Sequence, residues 1–299
     1  METKTHKLTE LLSREFLARL DGIDIVSRKI FQGKLQGERR SKRRGQSVEF
    51  ADHRPYTSGD DLRFVDWNIY ARLDQLFLRL FLEEQDLTVH LVVDVSRSVR
   101  EGDPPKQQAL RQLAAALGYV SLVNNSRLIA SAFAGGLVAQ TEPLRGRHSI
   151  HRLADFLLEA PEGAESSFEA TCRQIESARI GSGVMIVLSD FLFKEGFELG
   201  LKRLCSPRYD LYAIQVLSPQ ELDPPLTGDL KLVDVEDGDM AEVTISAGLL
   251  KHYKRTLAAY CNELKDFCTK RGAQHVLANS GQSMEQFVMS YLRRRGLLR

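Results

Sequence analysis

Two short stretches hold the residues whose types could do chemistry. Asp94-Val95-Ser96-Arg97-Ser98 sets one carboxylate and two hydroxyls on alternate positions, so the three side chains can turn the same way. Ser189-Asp190 adds a third hydroxyl and a second carboxylate. Oxygens of these kinds are the ligands of a hard cation, and Mg2+ in particular asks for near-octahedral geometry at roughly 2.0–2.1 Å. Thiol and imidazole are missing from both stretches, which argues against zinc or copper. A DxSxS string also describes an N-cap or an Asx-turn leading into a helix. The setting favours the cation: each acid closes an apolar run, VHLVVD at residues 89–94 and VMIVLSD at 184–190.

Those runs need a scaffold. Apolar segments at 89–94, 128–134, 184–190, 211–217 and 275–278 alternate with helical periodicity at 106–124, 151–158, 167–178, 197–205 and 249–270, and a last helix ends in RRR. Such alternation predicts an α/β fold, a doubly wound and mostly parallel sheet covered on both faces. In that architecture ligands bind beyond the carboxyl ends of the strands, where the strand order reverses.

Before this region, Leu8, Leu11, Leu12, Phe16, Leu17 and Leu20 share one face of a helix predicted within residues 7–31. A basic stretch follows at 28–45, where Arg39, Arg40, Lys42, Arg43 and Arg44 read as an exposed loop. Short β-like runs around SGDDLRFVDWNIYAR then suggest a small α+β subdomain, which divides the chain into 1–86 and 87–299. Within that block Asp60 or Asp61 can cap a short helix, Arg63 and Asp66 can pair, and Trp67 can anchor packing. Together they read as a charged clasp between subdomain and sheet.

Composition bounds the function. The 299 residues are 43% hydrophobic and 27% charged, with a net charge of +1, so no whole-molecule field steers the chain toward nucleic acid or membrane. Cys172, Cys205, Cys261 and Cys268 form no CxxC pair, which fits a reducing, cytoplasmic setting and excludes a zinc knuckle. The charged N-terminal segment lacks a secretory apolar core, and no 18-residue apolar stretch occurs. His148 and His151 read as a solvated edge. The acidic run Asp234, Glu236, Asp237, Asp239 lacks the spacing of an EF-hand loop and reads as a solvated turn.

The placement of DVSRS and SD after apolar strands resembles the metal-ion-dependent adhesion site of von Willebrand factor A domains. GQSVEFADHRPY at 45–56, GDDLRFVDWN at 59–68, Ala71-Arg72, the DVSRS and SDF strings and SPQEL at 218–222 resemble the bacterial family known as domain of unknown function fifty-eight. That resemblance implies a von Willebrand A-like domain with an N-terminal subdomain, and genes that adjoin those of MoxR-type AAA+ ATPases. It further implies chaperone-like activation or assembly of other proteins. By the same resemblance a weakly held Mg2+ or Mn2+ falls to Asp94, Ser96, Ser98, Ser166 and Asp190, Ser166 standing where the usual Thr would be and Ser167 its alternative. The expectation is a non-enzymatic adaptor, whose ion also takes a carboxylate from a partner. The alternatives are a Mg-dependent phosphatase-like enzyme and nucleic-acid binding through the basic loop. DVSRS lacks the second Asp of a DxD phosphatase pattern, and no GxxxxGK[ST] occurs.

Overall fold

Every residue from Thr88 to Asp94 is buried, a state that a strand reaches only inside a sheet covered on both faces. The computed structural model describes residues 2–27, 49–82, 87–161, 163, 167–178, 181–233, 240–294 and 296–299. They belong to two units: Met1–Ser27 with Leu87–Arg299, and Arg28–Asp86. The small unit pairs β1 (Glu49–Pro55) with β2 (Phe77–Leu82) in antiparallel fashion. The large unit contains β3 (Thr88–Asp94), β4 (Arg127–Phe133), β5 (Leu137–Gln140), β6 (Gly183–Ser189), β7 (Tyr209–Leu217), β8 (Gly228–Val233), β9 (Met240–Ile245) and β10 (Gln274–Asn279).

Six of these form one sheet in the order β10-β7-β6-β3-β4-β5. Its pairings are parallel except for β5, which runs antiparallel to β4. From β3 the chain steps outward to β4 and β5, then returns to the other flank of β3 and steps through β6, β7 and β10. The order therefore reverses between β3 and β6, and Asp94 and Ser189 end those two strands. Alternate residues feed two cores. Val89, Leu91 and Val93 join Phe16, Leu110, Leu117 and Leu153 on one face. Val92, Met185 and Val187 join Phe168, Leu201 and Leu264 on the other.

The N-terminal segment departs from the single helix and the 1–86 division expected of it. Two helices, Glu2–Leu11 and Arg14–Leu20, meet at Ser13, whose Oγ accepts the Phe16 amide at 3.1 Å and starts the second one. Leu8, Leu11, Leu12, Phe16 and Leu20 are buried in the same core as the sheet, so the first 27 residues go with the large unit. Asp24 and Arg299 exchange backbone hydrogen bonds, the Val26 amide donates to the Leu297 carbonyl, and Ser27 Oγ donates to Asp210 Oδ2 at 2.7 Å near the start of β7. The basic cluster at 39–44 and the acidic run at 234–239 lie outside the described residues.

In the small unit, Asp61 caps a 3-10 turn, Leu62–Phe64, and Asp66 caps the helix Trp67–Leu73. Arg63 pairs with Asp61, not with Asp66, because Asp66 is engaged by Arg79 Nε at 2.8 Å and His53 Nε2 at 3.0 Å. Arg54 grips Asp60 with two bonds of 2.7 and 2.8 Å. Arg54–Asp60, Arg63–Asp61 and Arg79–Asp66–His53 are thus pairs within the small unit. Within the small unit Trp67 anchors no packing. It is 58% exposed and meets Tyr70 edge-on, since in so short a helix Trp67, Tyr70 and Leu73 share an outward face.

Candidate metal centre

Parallel register sets Val93 opposite Leu188, which brings Asp94 level with Ser189 at the carboxyl edge of the sheet. Ser189 Oγ donates to Asp94 Oδ2 at 2.6 Å, and the Ser96 amide donates to Asp94 Oδ1 at 2.9 Å. The second bond is an Asx-type turn; it caps no helix, because the turn Ser98–Arg100 and the helix Lys106–Val123 both start without a side-chain cap. Ser96 and Ser98 then lie with their hydroxyls 3.1 Å apart, Ser96 fully buried and Ser98 half-buried.

Asp190 follows β6 directly and is fixed by its neighbours. Its Oδ1 accepts the Leu192 amide at 3.1 Å, and its carbonyl accepts Gln215 Nε2 at 2.9 Å. The turn works because Phe191 adopts a left-handed conformation at φ 58°, uncommon for a bulky residue. Burial of its ring against Phe168 and Phe193 and a hydrogen bond from Tyr260 to its carbonyl hold it there.

Asp94, Ser96, Ser98 and Asp190 are therefore brought together. Ser166 lies outside the described residues, and its alternative Ser167 donates its hydroxyl to Glu195 at 3.2 Å. Two further residues, which sequence reasoning missed, complete the cluster. Lys106 is 1% exposed, and its Nζ donates to Asp190 Oδ2 at 2.7 Å and to Glu221. Glu221 is held by a capping box: its Oε2 accepts the Ser218 amide at 2.8 Å and Ser218 Oγ accepts the Glu221 amide at 3.2 Å. The turn before Lys106 packs on that box through Gly102, at φ +101°, where an added Cβ would lie 2.6 Å from Ser218 Cβ. Signals for both were present. Ser218-Pro219-Gln220-Glu221 is a capping-box string, and Lys106 puts a cation in the first turn of a helix, the end where the helix dipole disfavours one.

Charge decides what this cluster can do. With all three carboxyls ionised, Asp94, Asp190 and Glu221 oppose one Lys106 and leave two negative charges, where Asp94, Asp190 and Lys106 are buried and Glu221 is partly exposed. Burial, and next the Asp190 charge, push the Asp94 carboxyl up to about 7. Burial works to lower the Lys106 pKa, but Asp190 and Glu221 outweigh it and hold the ammonium above its ordinary value. Among the described residues no three His, Cys, Asp or Glu side chains gather as a metal cluster, so a cation here would depend on the serine hydroxyls as well as the two acids. Two carboxylates and two hydroxyls make an all-oxygen donor set, of the kind that hard divalent ions such as Mg2+ or Mn2+ take.

Residues 52–263 match the family described as Protein of unknown function DUF58. The chain belongs to that family. All of Asp94, Ser96, Ser98, Lys106, Asp190 and Glu221 fall inside the DUF58 match. Uncharacterized proteins of Mycobacterium bovis and Mycobacterium tuberculosis are each 27% identical over 248 residues, 81% of this DUF58 chain and 78% of theirs. Among solved structures, the conserved hypothetical protein BatB of Bacteroides thetaiotaomicron superposes with a TM-score of 0.43 at 15% identity, over 70% of this chain and 98% of its own. An aerotolerance-related membrane protein of Bacteroides fragilis gives 0.42 at 14% identity, over 70% and 99%. Among the described residues of this DUF58 protein no helix is long and apolar enough to cross a membrane.

Proposed function

We propose that this DUF58 protein is a non-enzymatic, cation-dependent adaptor of von Willebrand A type that works in the cytoplasm with a MoxR-type AAA+ ATPase, in chaperone-like activation or assembly of client proteins. Asp94, Ser96, Ser98 and Asp190 would hold Mg2+ or Mn2+, with Ser166 as the fifth ligand. The observation that carries this reading is the cluster of two buried, under-compensated carboxylates and two hydroxyls at the point where the strand order reverses. A bound divalent ion would supply a positive centre for an acidic side chain of the partner. The chain itself does the positioning: Ser189 and the Ser96 amide orient Asp94, while Lys106 and the Leu192 amide orient Asp190. A phosphatase is the weaker reading, since Ser96 stands where a DxD pattern needs its second acid.

Calorimetry with Mg2+ and Mn2+ on the wild type and Asp94→Ala tests the ion, and a pull-down of the MoxR-type ATPase with and without EDTA tests the bridge. Weak binding by the wild type, none by Asp94→Ala, and a complex that EDTA dissolves are the expected results. Equal binding by Asp94→Ala, or a complex indifferent to EDTA, would overturn the proposal.

A further inference from the structure

Lys106 invites a question that packing alone does not answer. A methionine of similar length would fill the same space at the start of the helix Lys106–Val123, yet an ammonium is buried there between two carboxylates. Taking a charge out of water is expensive unless it is paired, and the amino end of a helix adds to the cost. Its two partners differ in kind. Asp190 is a candidate cation ligand, whereas Glu221 sits 31 positions later on a different element, fixed by its capping box to Ser218.

Resting on the cation reading above, we infer that Lys106 is a built-in counter-charge to Glu221: with both in place the centre keeps the minus two of Asp94 and Asp190 that matches a divalent ion, and loss of either one alone shifts its affinity. Asp190 is the shared member. Its Oδ2 takes the ammonium at 2.7 Å, so an ion that draws on this carboxylate competes with Lys106 for its charge. Removing the lysine charge leaves minus three and frees Asp190. Neutralising Glu221 leaves minus one and turns the whole ammonium onto Asp190. Removing both charges returns the count to minus two. Glutamine at position 221 retains the capping box, which accepts Gln as readily as Glu, so the substitution changes charge more than structure.

The test is a charge series on the full chain: wild type, Lys106→Met, Glu221→Gln and the double variant. Mn2+ affinity is read from the electron paramagnetic resonance signal of free Mn2+, Tb3+ binding from sensitised luminescence, and folding from circular dichroism. Lys106→Met is expected to bind Mn2+ at least about tenfold tighter, with a larger gain for trivalent Tb3+, and Glu221→Gln at least about tenfold weaker. The double variant should return to within about threefold of wild type. Folded single variants with wild-type Mn2+ affinity would overturn the inference and leave Lys106 a structural fastening, while the wild type still bound Mn2+. Absence of Mn2+ binding in all four proteins would overturn the cation reading itself, and this inference with it. Should Lys106→Met fail to fold, Glu221→Gln and the double variant decide between the same outcomes.

Discussion

Ser189 and Asp94 end neighbouring parallel strands, and one serine hydroxyl ties both ends together: it donates to Asp94 Oδ2 at 2.6 Å and accepts the amide of Phe191 at 2.9 Å. Ser189→Ala removes the donor of a buried carboxylate and the acceptor of a buried amide at once. The expected cost is about 1–3 kcal/mol in urea unfolding with EDTA present. A loss below about 0.5 kcal/mol, the range of an inconsequential surface change, would show that the bond is idle.

His90 makes acid sensitivity a property of the sheet. It is fully buried in β3, with Nε2 2.8 Å from Ser131 Oγ and, among the described residues, no partner for Nδ1, and burial depresses its pKa from 6.5 to about 4. A depressed histidine contributes stability that is present above pH 6.5 and lost as the pH falls from there through 4, because the unfolded chain takes up the proton first. The wild type should lose about 3 kcal/mol across that window from this group. His90→Leu should flatten the pH dependence of its urea midpoint by a comparable amount.

Gly200 lets the helix Glu198–Leu204 close on the helix Phe168–Ser177. A Cβ at this position would lie 2.4 Å from the Phe168 ring and 3.1 Å from Cys172 Sγ. That ring stacks on Phe193 and meets Phe191, so it has no room to yield. Gly200→Ala should destabilise by about 1–3 kcal/mol despite its better helix propensity, as measured by chemical denaturation.

Asp66 organises the small unit: it caps the helix Trp67–Leu73 through the amides of Asn68 and Ile69 and receives Arg79 and His53. Arg79 above all holds its carboxyl well below the usual carboxylate range. The stability this adds is therefore present above pH 3.8 and lost as the pH falls further. Asp66→Ala should raise hydrogen exchange across residues 49–82 while β3, β6 and β7 keep their protection. Trp67, the one tryptophan, should report the module by an emission typical of a wet indole and readily quenched by acrylamide.

Much of the sheet was legible because its strands are buried on both faces and so read as unbroken apolar runs; Thr88–Asp94 and Gly183–Ser189 are the clearest cases. Asp94 and Asp190 were legible for the same reason, as acids that close such runs. Strand β5 and the β8–β9 pair were not, being short and partly or largely exposed. The Ser13 break escaped notice because the apolar face continues across it. Lys106 was hidden by distance along the chain, since its partners lie 84 and 115 positions away. Trp67 was misjudged because burial of an aromatic is settled by tertiary packing, which no local pattern reports.

Met1–Ser27 packs with the sheet while Arg28–Asp86 forms its own unit, so the small module is an insertion into a fold that begins before it and resumes after it. Its flanks are anchored where strands begin: Ser27 bonds to Asp210 near the start of β7, and the Leu87 carbonyl accepts the first amide of β4. Asp94 and Ser189 are the last residues of their strands. Recombination at these two seams would exchange one cassette for another without cutting any strand that carries Asp94 or Asp190. A lineage could thereby exchange the module and leave the sheet and its two strand-end acids intact.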